Sequence, residues 1–214
     1  MDLDARREEY EDRGFDVADV DPDPIVQVQR WFDEWIAVAP NEPHAVVLAT
    51  ADAAGRPSVR TVLLRGFDET GGTVFTSYDS RKGRDLEANP YGAIVCSWVP
   101  LLRQVNLRGP MARVPRAESE AYFAGRPRGS QLAAWASHQS SVLADRAELE
   151  ARFAEAAQRF EDKDVPCPLY WGGFRLVPDE IELWQGRANR MHDRLRYERD
   201  ATAPHGWRIV RLSP

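Results

Sequence analysis

Lysine is the scarcest charged side chain in this sequence. Only Lys82 and Lys163 occur among 28 basic residues, against 34 acidic ones, so arginine supplies nearly all of the positive charge. With a net charge of −6, the chain lacks the basic field that a general nucleic-acid binder needs to neutralise phosphates. We therefore expect no nucleic-acid partner, and we expect anion binding only at local arginine clusters.

Cysteines and long apolar runs are also scarce. Cys96 and Cys167 are too few for a disulfide framework or a four-cysteine zinc site, and the four histidines show no metal-ligand spacing. No apolar run approaches the length of a membrane span. Residues 1–15 are charged and lack the apolar core of a secretion signal. We expect reduced thiols, no metal, no membrane association and a cytoplasmic protein.

Two common catalytic signatures are missing as well. The chain contains no glycine-rich nucleotide loop of the Walker or Gly-x-Gly-x-x-Gly type, and no Gly-x-Ser-x-Gly elbow for a serine nucleophile. What it does contain is 43% hydrophobic residues and seven tryptophans, enough for a core and for aromatic walls around a flat ligand.

The length of 214 residues suits one domain. Residues 1–20 are charged with few apolar positions, which predicts a mobile N-terminal segment, and residues 21–214 form the single domain. Asp23 and Pro24 predict the capped start of a helix.

Beyond residue 44 the pattern is mostly strand after strand with tight turns, which favours antiparallel pairing. Helices are predicted over residues 79–89, 115–125 and 145–162, with a polar loop over 126–142. The predicted fold is mainly β (α+β), an antiparallel barrel-like sheet with peripheral helices. Predicted strands cover residues 45–51, 58–67, 73–78, 91–99, 103–114, 171–177, 180–185, 190–199 and 207–212.

One candidate site is a row of basic side chains near the C-terminus. If residues 190–199 form a strand, Arg190, His192 and Arg194 share one face, because residues two apart on a strand point the same way. Two guanidinium groups and an imidazole suit an anionic or electron-rich ligand. Spacing alone favours the simpler interpretation, a solvated strand face paired with neighbouring acids.

Three further clusters could bind phosphate groups. Arg60 and Arg65 bracket an apolar strand segment and, in a regular strand, would point to opposite faces. Ser80-Arg-Lys82 opens a helix, whose unpaired N–H groups attract anions. Surface arginines and a polar loop explain each cluster taken alone, whereas the clusters together suggest an organic cofactor and a phosphorylated substrate. The third cluster contains Tyr122, Arg126, Arg128, Ser130 and Gln131.

Seven motifs, in order along nearly the whole chain, resemble those of the pyridoxamine 5′-phosphate oxidase family. Their order makes the resemblance far more specific than any single motif. They are Arg60-Thr-Val-Leu-Leu-Arg65, Ser80-Arg-Lys82, Arg103-Gln-Val105, Arg126-Pro-Arg-Gly-Ser-Gln131, Gln139-Ser-Ser141, Tyr170-Trp-Gly-Gly-Phe174 and Trp184-Gln-Gly followed by Arg190-Met-His-Asp-Arg194.

The resemblance implies an FMN-binding split β-barrel and a homodimer with its two FMN sites at the subunit interface. The implied FMN contacts are Arg60, Thr61, Val62, Leu63, Leu64, Arg65, Phe75, Thr76, Arg81, Lys82, Gln104, Gln139, Ser140, Trp184 and Arg194. The implied substrate contacts are Arg65, Tyr122, Arg126, Ser130, Arg190 and His192. Of these, Arg190 and His192 would be the catalytic pair that packs over the substrate ring. Arg7 and Tyr10 match the family's N-terminal lid, and Glu42 stands where the family places an acidic residue near the substrate.

The implied reaction is the oxidation of pyridoxine or pyridoxamine 5′-phosphate to pyridoxal 5′-phosphate, with O2 as the acceptor and H2O2 as the by-product. Two departures from the family are visible: Arg65 stands where many relatives have Lys, and Phe75 where a Tyr is common. Two alternatives fit the same fold, a flavin oxidase of phenazine metabolism and a flavin-binding protein without catalysis. The retained loop Arg126–Gln131 favours the vitamin B6 reaction over both.

Overall fold

The computed structural model describes residues 14–39 and 41–214. The strands in these ranges are β1 Ala45–Ala51, β2 Pro57–Asp68, β3 Gly71–Ser77, β4 Tyr91–Trp98, β5 Arg103–Arg113, β6 Trp171–Leu176, β7 Glu180–Gln185, β8 Asp193–Arg199 and β9 Trp207–Leu212. The α-helices are α1 Pro24–Val38, α2 Arg81–Ala88, α3 Arg116–Ala124, α4 Arg128–Ala136 and α5 Arg146–Arg159.

Six of the strands close into an antiparallel barrel. Their order is β4-β1-β2-β3-β6-β5, and the pairing of β5 with β4 completes the ring. Strand β5 then divides: residues 103–108 pair with β7, whereas residues 111–113 pair with β6. Strands β7, β8 and β9 therefore extend the barrel wall as a sheet. The predicted antiparallel barrel with peripheral helices is confirmed.

The barrel interior is filled by side chains that alternate along each strand, as a two-residue period requires. On β4 and β5 the inward positions include Ile94, Cys96, Trp98, Val105 and Leu107, all nearly inaccessible to solvent. Burial raises the pKa of the Cys96 thiol to about 12. Cys96 is therefore a core residue rather than a reactive thiolate.

Helix α1 begins as its sequence indicates. The Asp23 side chain accepts a hydrogen bond from the backbone N–H of Ile25, and Pro24 occupies the first helical position. The cap satisfies one of the N–H groups that a helix start leaves unpaired. Val28 and Trp31 then bury the inner face of the helix against the barrel.

Helix α4 corrects the predicted polar loop over residues 126–142. Residues 128–136 are helical because Leu132 and Ala136, four residues apart, turn one face into a second core. Phe123 of α3, Phe160 at the end of α5 and Trp171 of β6 complete that core. The apolar stripe is short and interrupted by polar side chains, which is why the local pattern concealed it.

The predicted strand over residues 190–199 is also corrected. Strand β8 begins only at Asp193, because residues 188–190 form a 3-10 turn in which Asn189 and Arg190 have φ of 56° and 59°. A left-handed backbone cannot continue a strand. Arg190 and His192 therefore lie in the β7–β8 connection, and only Arg194 lies on β8.

Residues 14–20 contact the C-terminal strands and α1. The Phe15 ring packs edge-on against Trp31 with centroids 5.4 Å apart, and its backbone N–H donates to Asp193. Arg211 of β9 forms an ion pair with Asp16. The proposed lid residues Arg7 and Tyr10 lie outside the described residues, and the domain boundary at residue 20 stays a prediction.

Candidate functional site

The start of helix α2 forms a polar cradle. Ser80 caps the helix by accepting from the Gly83 N–H, which leaves the first turn facing a neighbouring loop. The buried ammonium of Lys82 donates to Thr76 Oγ1 at 3.0 Å, Ser80 Oγ at 3.2 Å and Gln139 Oε1 at 2.7 Å. A helix N-terminus with a buried ammonium beside it has the charge and the geometry that favour an anion such as phosphate.

The electrostatics of the cradle favour an anion. Burial, and then the charge of Arg60, lower the pKa of Lys82 to about 8, while Asp85 acts in the opposite direction. Burial likewise lowers the pKa of Arg60, and Arg81 adds to that effect. Three cations thus converge on one wall at a cost in repulsion and desolvation. A bound dianion would relieve that cost.

A second cationic cluster lies at Arg126. Its guanidinium stacks over Trp171 at 4.7 Å from the ring centroid, and burial lowers its pKa, with Arg65 contributing in the same direction. Its buried Nη1 has no hydrogen-bond partner. A buried guanidinium nitrogen without a partner is costly, and an anionic ligand would satisfy it.

Parallel aromatic rings lie beside the Arg126 cluster. Phe75 stacks on Tyr122 with centroids 3.8 Å apart and an interplanar angle of 8°, and Trp171 lies nearly parallel at 5.7 Å from Phe75. The residue that replaces the family's Tyr therefore contributes a ring face rather than a hydroxyl. Flat aromatic ligands pack favourably against such rings.

One cavity of about 760 Å³ joins these features. Arg60 and Arg65 both line this cavity, although a regular strand would point them to opposite faces. They can do so because the register of β2 is irregular between Leu64 and Phe67, next to Arg65. The predicted contacts that line the cavity are Arg60, Thr61, Val62, Leu63, Arg65, Phe75, Thr76, Arg81, Lys82, Tyr122, Arg126, Ser130, Gln139 and Ser140. Leu64 instead points into the core, and Glu42 is exposed in the connection between α1 and β1.

Three residues that line the cavity were not predicted as contacts. Ser58 shares the face of Arg60 on β2, a relationship that the two-residue period of a strand could have revealed. Pro127 and Trp171 also line the cavity; both stand within the recognised motifs, but neither residue was itself assigned a role. Trp171 is the most important of the three, because the Arg126 guanidinium stacks on its ring.

The other predicted contacts form a separate group on the extended sheet. Gln104, Trp184 and Arg194 are successive partners across β5, β7 and β8, so their side chains share one face. The His192 ring packs against Trp184 with centroids 4.7 Å apart, and its Nδ1 accepts from the Arg187 N–H. None of these residues, nor Arg190, lines the 760 Å³ cavity of the same chain.

Glu182 holds Arg194 in that row. Both oxygens of its buried carboxylate accept from the guanidinium, at 2.9 and 3.0 Å, and these bonds raise the pKa of Arg194. A bidentate pair fixes both the charge and the orientation of the arginine. Glu182 was not predicted, because only the strand register shows that it lies beside Arg194.

The family comparison agrees with this geometry. Residues 32–160 match the family model described as pyridoxamine 5′-phosphate oxidase, and residues 171–214 match the pyridoxine 5′-phosphate oxidase C-terminal dimerisation region. The chain belongs to the pyridoxamine 5′-phosphate oxidase family. The C-terminal match supports a homodimer in this oxidase family, as the motifs predicted.

Among the curated relatives of this oxidase family, two are each 53% identical to the chain. One is a pyridoxine/pyridoxamine 5′-phosphate oxidase from Burkholderia multivorans, matched over 96% of this chain and 95% of its own. The other, of the same description, comes from Rubrobacter xylanophilus and is matched over 100% and 97%. The similarity thus spans both cavity residues and the Gln104–Trp184–Arg194 row.

Solved structures show the same fold. PhzG from Burkholderia lata, in complex with tetrahydrophenazine-1-carboxylic acid, is 31% identical with a TM-score of 0.86, over 95% of this chain and 99% of its own. An FMN-binding protein from Nostoc punctiforme is 15% identical with a TM-score of 0.67, over 87% and 95%, and supports the fold alone. Within residues 14–39 and 41–214, no helix has the length and apolarity to cross a membrane.

Proposed function

We propose that this chain oxidises pyridoxine 5′-phosphate and pyridoxamine 5′-phosphate to pyridoxal 5′-phosphate with FMN as cofactor. The alcohol reacts with O2 to give the aldehyde and H2O2; the amine also consumes water and releases ammonia. When bound, FMN would supply the redox chemistry by accepting a hydride from C4′ of the substrate and passing the electrons to O2. The observation that carries this proposal is a single cavity lined by two cationic clusters and by parallel aromatic rings.

The residues at hand fit such a cofactor. Lys82, Arg60 and the N–H groups at the start of α2 would hold the cofactor phosphate, because they place buried positive charge at a helix N-terminus. Backbone groups of residues 61–64 would lie along the flavin, since β2 forms a wall of the cavity. Gln139 and Ser140 would close the cradle from the loop after α4.

The second cluster would hold the substrate phosphate. Arg126 offers an unsatisfied nitrogen, and Arg65, Tyr122 and Ser130 line the same cavity. Arginine in place of lysine at residue 65 retains the charge and adds a planar fork that can bind two phosphate oxygens at once. Separate anchors for the two phosphates would orient the substrate against the flavin.

Each site would be completed by the partner subunit of the homodimer. A separate group of predicted contacts does not line the 760 Å³ cavity of its own chain. The group consists of Gln104, Trp184 and Arg194 on strands β5, β7 and β8, with Arg190 and His192 in the β7–β8 connection. In a two-fold dimer the same group of the second copy can cover the cavity. Arg190 and His192 would then pack over the substrate ring and exclude water from C4′.

Anaerobic titration tests the proposal. Protein reconstituted with FMN should lose the visible absorption of oxidised flavin when pyridoxine 5′-phosphate is added, and unphosphorylated pyridoxine should bleach it far less. The same titration with a reduced phenazine precursor tests the activity suggested by the similarity to PhzG. A flavin that stays oxidised with both B6 phosphates would overturn the proposed reaction and leave the fold unaffected.

A further inference from the structure

Asp85 is a buried carboxylate directly behind the α2 cradle. Its exposed fraction is 4%, and it belongs to none of the sets of predicted contacts. Its Oδ2 accepts from the hydroxyl of Thr50 at 2.7 Å, and Thr50 is equally buried on β1. A carboxylate is retained in such a position only where hydrogen bonds and opposite charges compensate its loss of water.

Thr50 connects this carboxylate to Arg60. One nitrogen of the Arg60 guanidinium, Nη1, donates to Thr50 Oγ1 at 2.8 Å and to the backbone oxygen of Leu48 at 3.2 Å. The other terminal nitrogen, Nη2, donates to Ser58 Oγ and lies 3.8 Å from Asp85 Oδ2. Asp85, Thr50 and Arg60 thus form a chain of contacts that ends at the cavity wall.

The charge of Asp85 also acts on both main cations of the cradle. The carboxylate raises the pKa of both Arg60 and Lys82, whereas burial lowers both. Neighbouring positive charges also oppose it: Arg81 lowers the pKa of Arg60, and Arg60 lowers that of Lys82. These charged groups face one another from β2 and α2. Without the carboxylate, the cations would repel one another with less compensation, and Lys82 would lose its proton more readily.

We propose that Asp85 is a positioning residue for the phosphate end of the flavin. Through Thr50 its carboxylate fixes the Arg60 guanidinium at the cavity wall, and its charge keeps the cradle cationic. Asp85 does not line the cavity, which suits this role, because a carboxylate in contact with a phosphate would repel it. This inference rests on the proposed binding of FMN.

A purely structural role is the competing explanation, in which Asp85 only ties α2 to β1. The two explanations differ in their dependence on the ligand. Riboflavin has the same ring system as FMN and lacks the phosphate, so the loss of a phosphate-positioning residue weakens FMN binding and spares riboflavin. A residue that only holds the fold would affect both ligands alike.

Two variants separate the parts of the mechanism. Thr50→Val removes the hydroxyl that links Asp85 to Arg60 while keeping the carboxylate and the side-chain volume. Asp85→Asn removes the negative charge. The loss of that charge by itself should strengthen anion binding, whereas the loss of positioning should weaken it. Glu87→Gln is the matched control, because Glu87 lies exposed on the same helix and pairs with Arg113 instead.

The experiment measures the affinity of apoprotein for FMN and riboflavin by flavin fluorescence, between about pH 7 and pH 9, with the melting temperature of each variant. We expect Thr50→Val to lower the ratio of FMN to riboflavin affinity by about tenfold, the effect of one misplaced charge-assisted hydrogen bond. In Asp85→Asn the decline of FMN affinity with rising pH should begin at a lower pH than in the wild type. Glu87→Gln should match the wild type.

The inference is overturned if both variants keep the wild-type affinity ratio and pH profile. It is also overturned if both ligands are lost in parallel with a fall in melting temperature, which is the mark of a structural tie. A different result bears on the proposed function: wild-type protein that binds FMN no better than riboflavin would contradict the phosphate cradle itself.

Discussion

The ammonium of Lys82 donates to the amide oxygen of Gln139 over 2.7 Å, a contact that joins helix α2 to the loop after helix α4. Gln139 Oε1 also accepts from Thr76 of β3 at 2.8 Å. One buried cation therefore holds three elements around the candidate phosphate cradle. Ligand affinity there should depend on whether Lys82 carries its proton.

FMN affinity should fall as the pH rises above about 8. Burial and the neighbouring Arg60 lower the pKa of Lys82 to about 8, and a bound phosphate favours the charged form. Below that pH Lys82 is already protonated in the free protein, so affinity is level. Above it each binding event must take up a proton, and affinity declines by up to about tenfold per pH unit.

Flavin fluorescence titrations across this range check the pH dependence. Lys82→Arg is the control, because arginine stays charged throughout and should give a level profile. Riboflavin should show no comparable decline. A wild-type FMN affinity that is constant between about pH 7 and pH 9 would contradict the role of Lys82.

Arg126→Ala should weaken the binding of the B6 phosphates far more than that of FMN. A hydrogen bond to a charged group contributes about 1.5–3 kcal/mol, so KM should rise about 10- to 100-fold. Steady-state kinetics and FMN titration measure the two effects. Arg128→Ala is the matched control: Arg128 donates to the backbone oxygens of Phe160 and Lys163, so its loss should lower stability and leave KM unchanged. Equal losses of both ligands in Arg126→Ala would refute the division into two phosphate sites.

Two inactive variants should restore activity together if each site draws on both subunits. Lys82→Glu damages the cavity, and His192→Ala damages the separate group that contains Gln104, Trp184 and Arg194. A mixed dimer retains one intact site, so random exchange of subunits should recover about a quarter of the wild-type activity. The assay is activity after unfolding and refolding the mixture, with each variant refolded alone as the control. No recovery in verified mixed dimers would show that each chain builds its own site.

Gly172→Ala should destabilise the protein. A Cβ there would lie 2.0 Å from the Tyr78 hydroxyl and 2.6 Å from Ser119 Oγ, and both of these residues are buried. Overpacking of this kind lowers the free energy of unfolding by about 1–3 kcal/mol. Gly129→Ala is the counterpart, since no atom lies within 4 Å of its Cβ position in α4 and alanine favours a helix by up to about 1 kcal/mol. Denaturant unfolding of both variants checks the prediction, and equal stabilities would contradict it.

Short sequence patterns predicted those parts of the site that are built from residues close together in the sequence. Ser80 followed by Arg81 and Lys82 indicated the start of a helix with basic residues in its first turn, and the structure has that helix, capped by Ser80. The succession of short strands joined by tight turns indicated the antiparallel strands of the barrel. The motifs then predicted fourteen contacts that do line one cavity, although the roles of those residues stay predictions.

Contacts between distant residues were beyond such signals. Thr50 and Asp85 are 35 residues apart, and only the packing of α2 on β1 brings the hydroxyl to the carboxylate. The left-handed φ of Asn189 and Arg190 could not be predicted from the sequence either, because the alternating basic residues that follow fit a strand pattern. Because of this turn, Arg190, His192 and Arg194 do not form a row along one strand.

By itself the sequence determined the family, the strand-rich fold and the supply of cationic and aromatic side chains, because these follow from residue types and their local period. Only the tertiary structure decided how those side chains are divided. Packing of α2 and α3 on the barrel brings Lys82 and Arg126 to the same cavity as Arg60. The register across β5, β7 and β8 aligns Gln104, Trp184 and Arg194 outside that cavity. The physical reason is that strand register and helix packing are set by burial over the whole chain, which no local pattern contains.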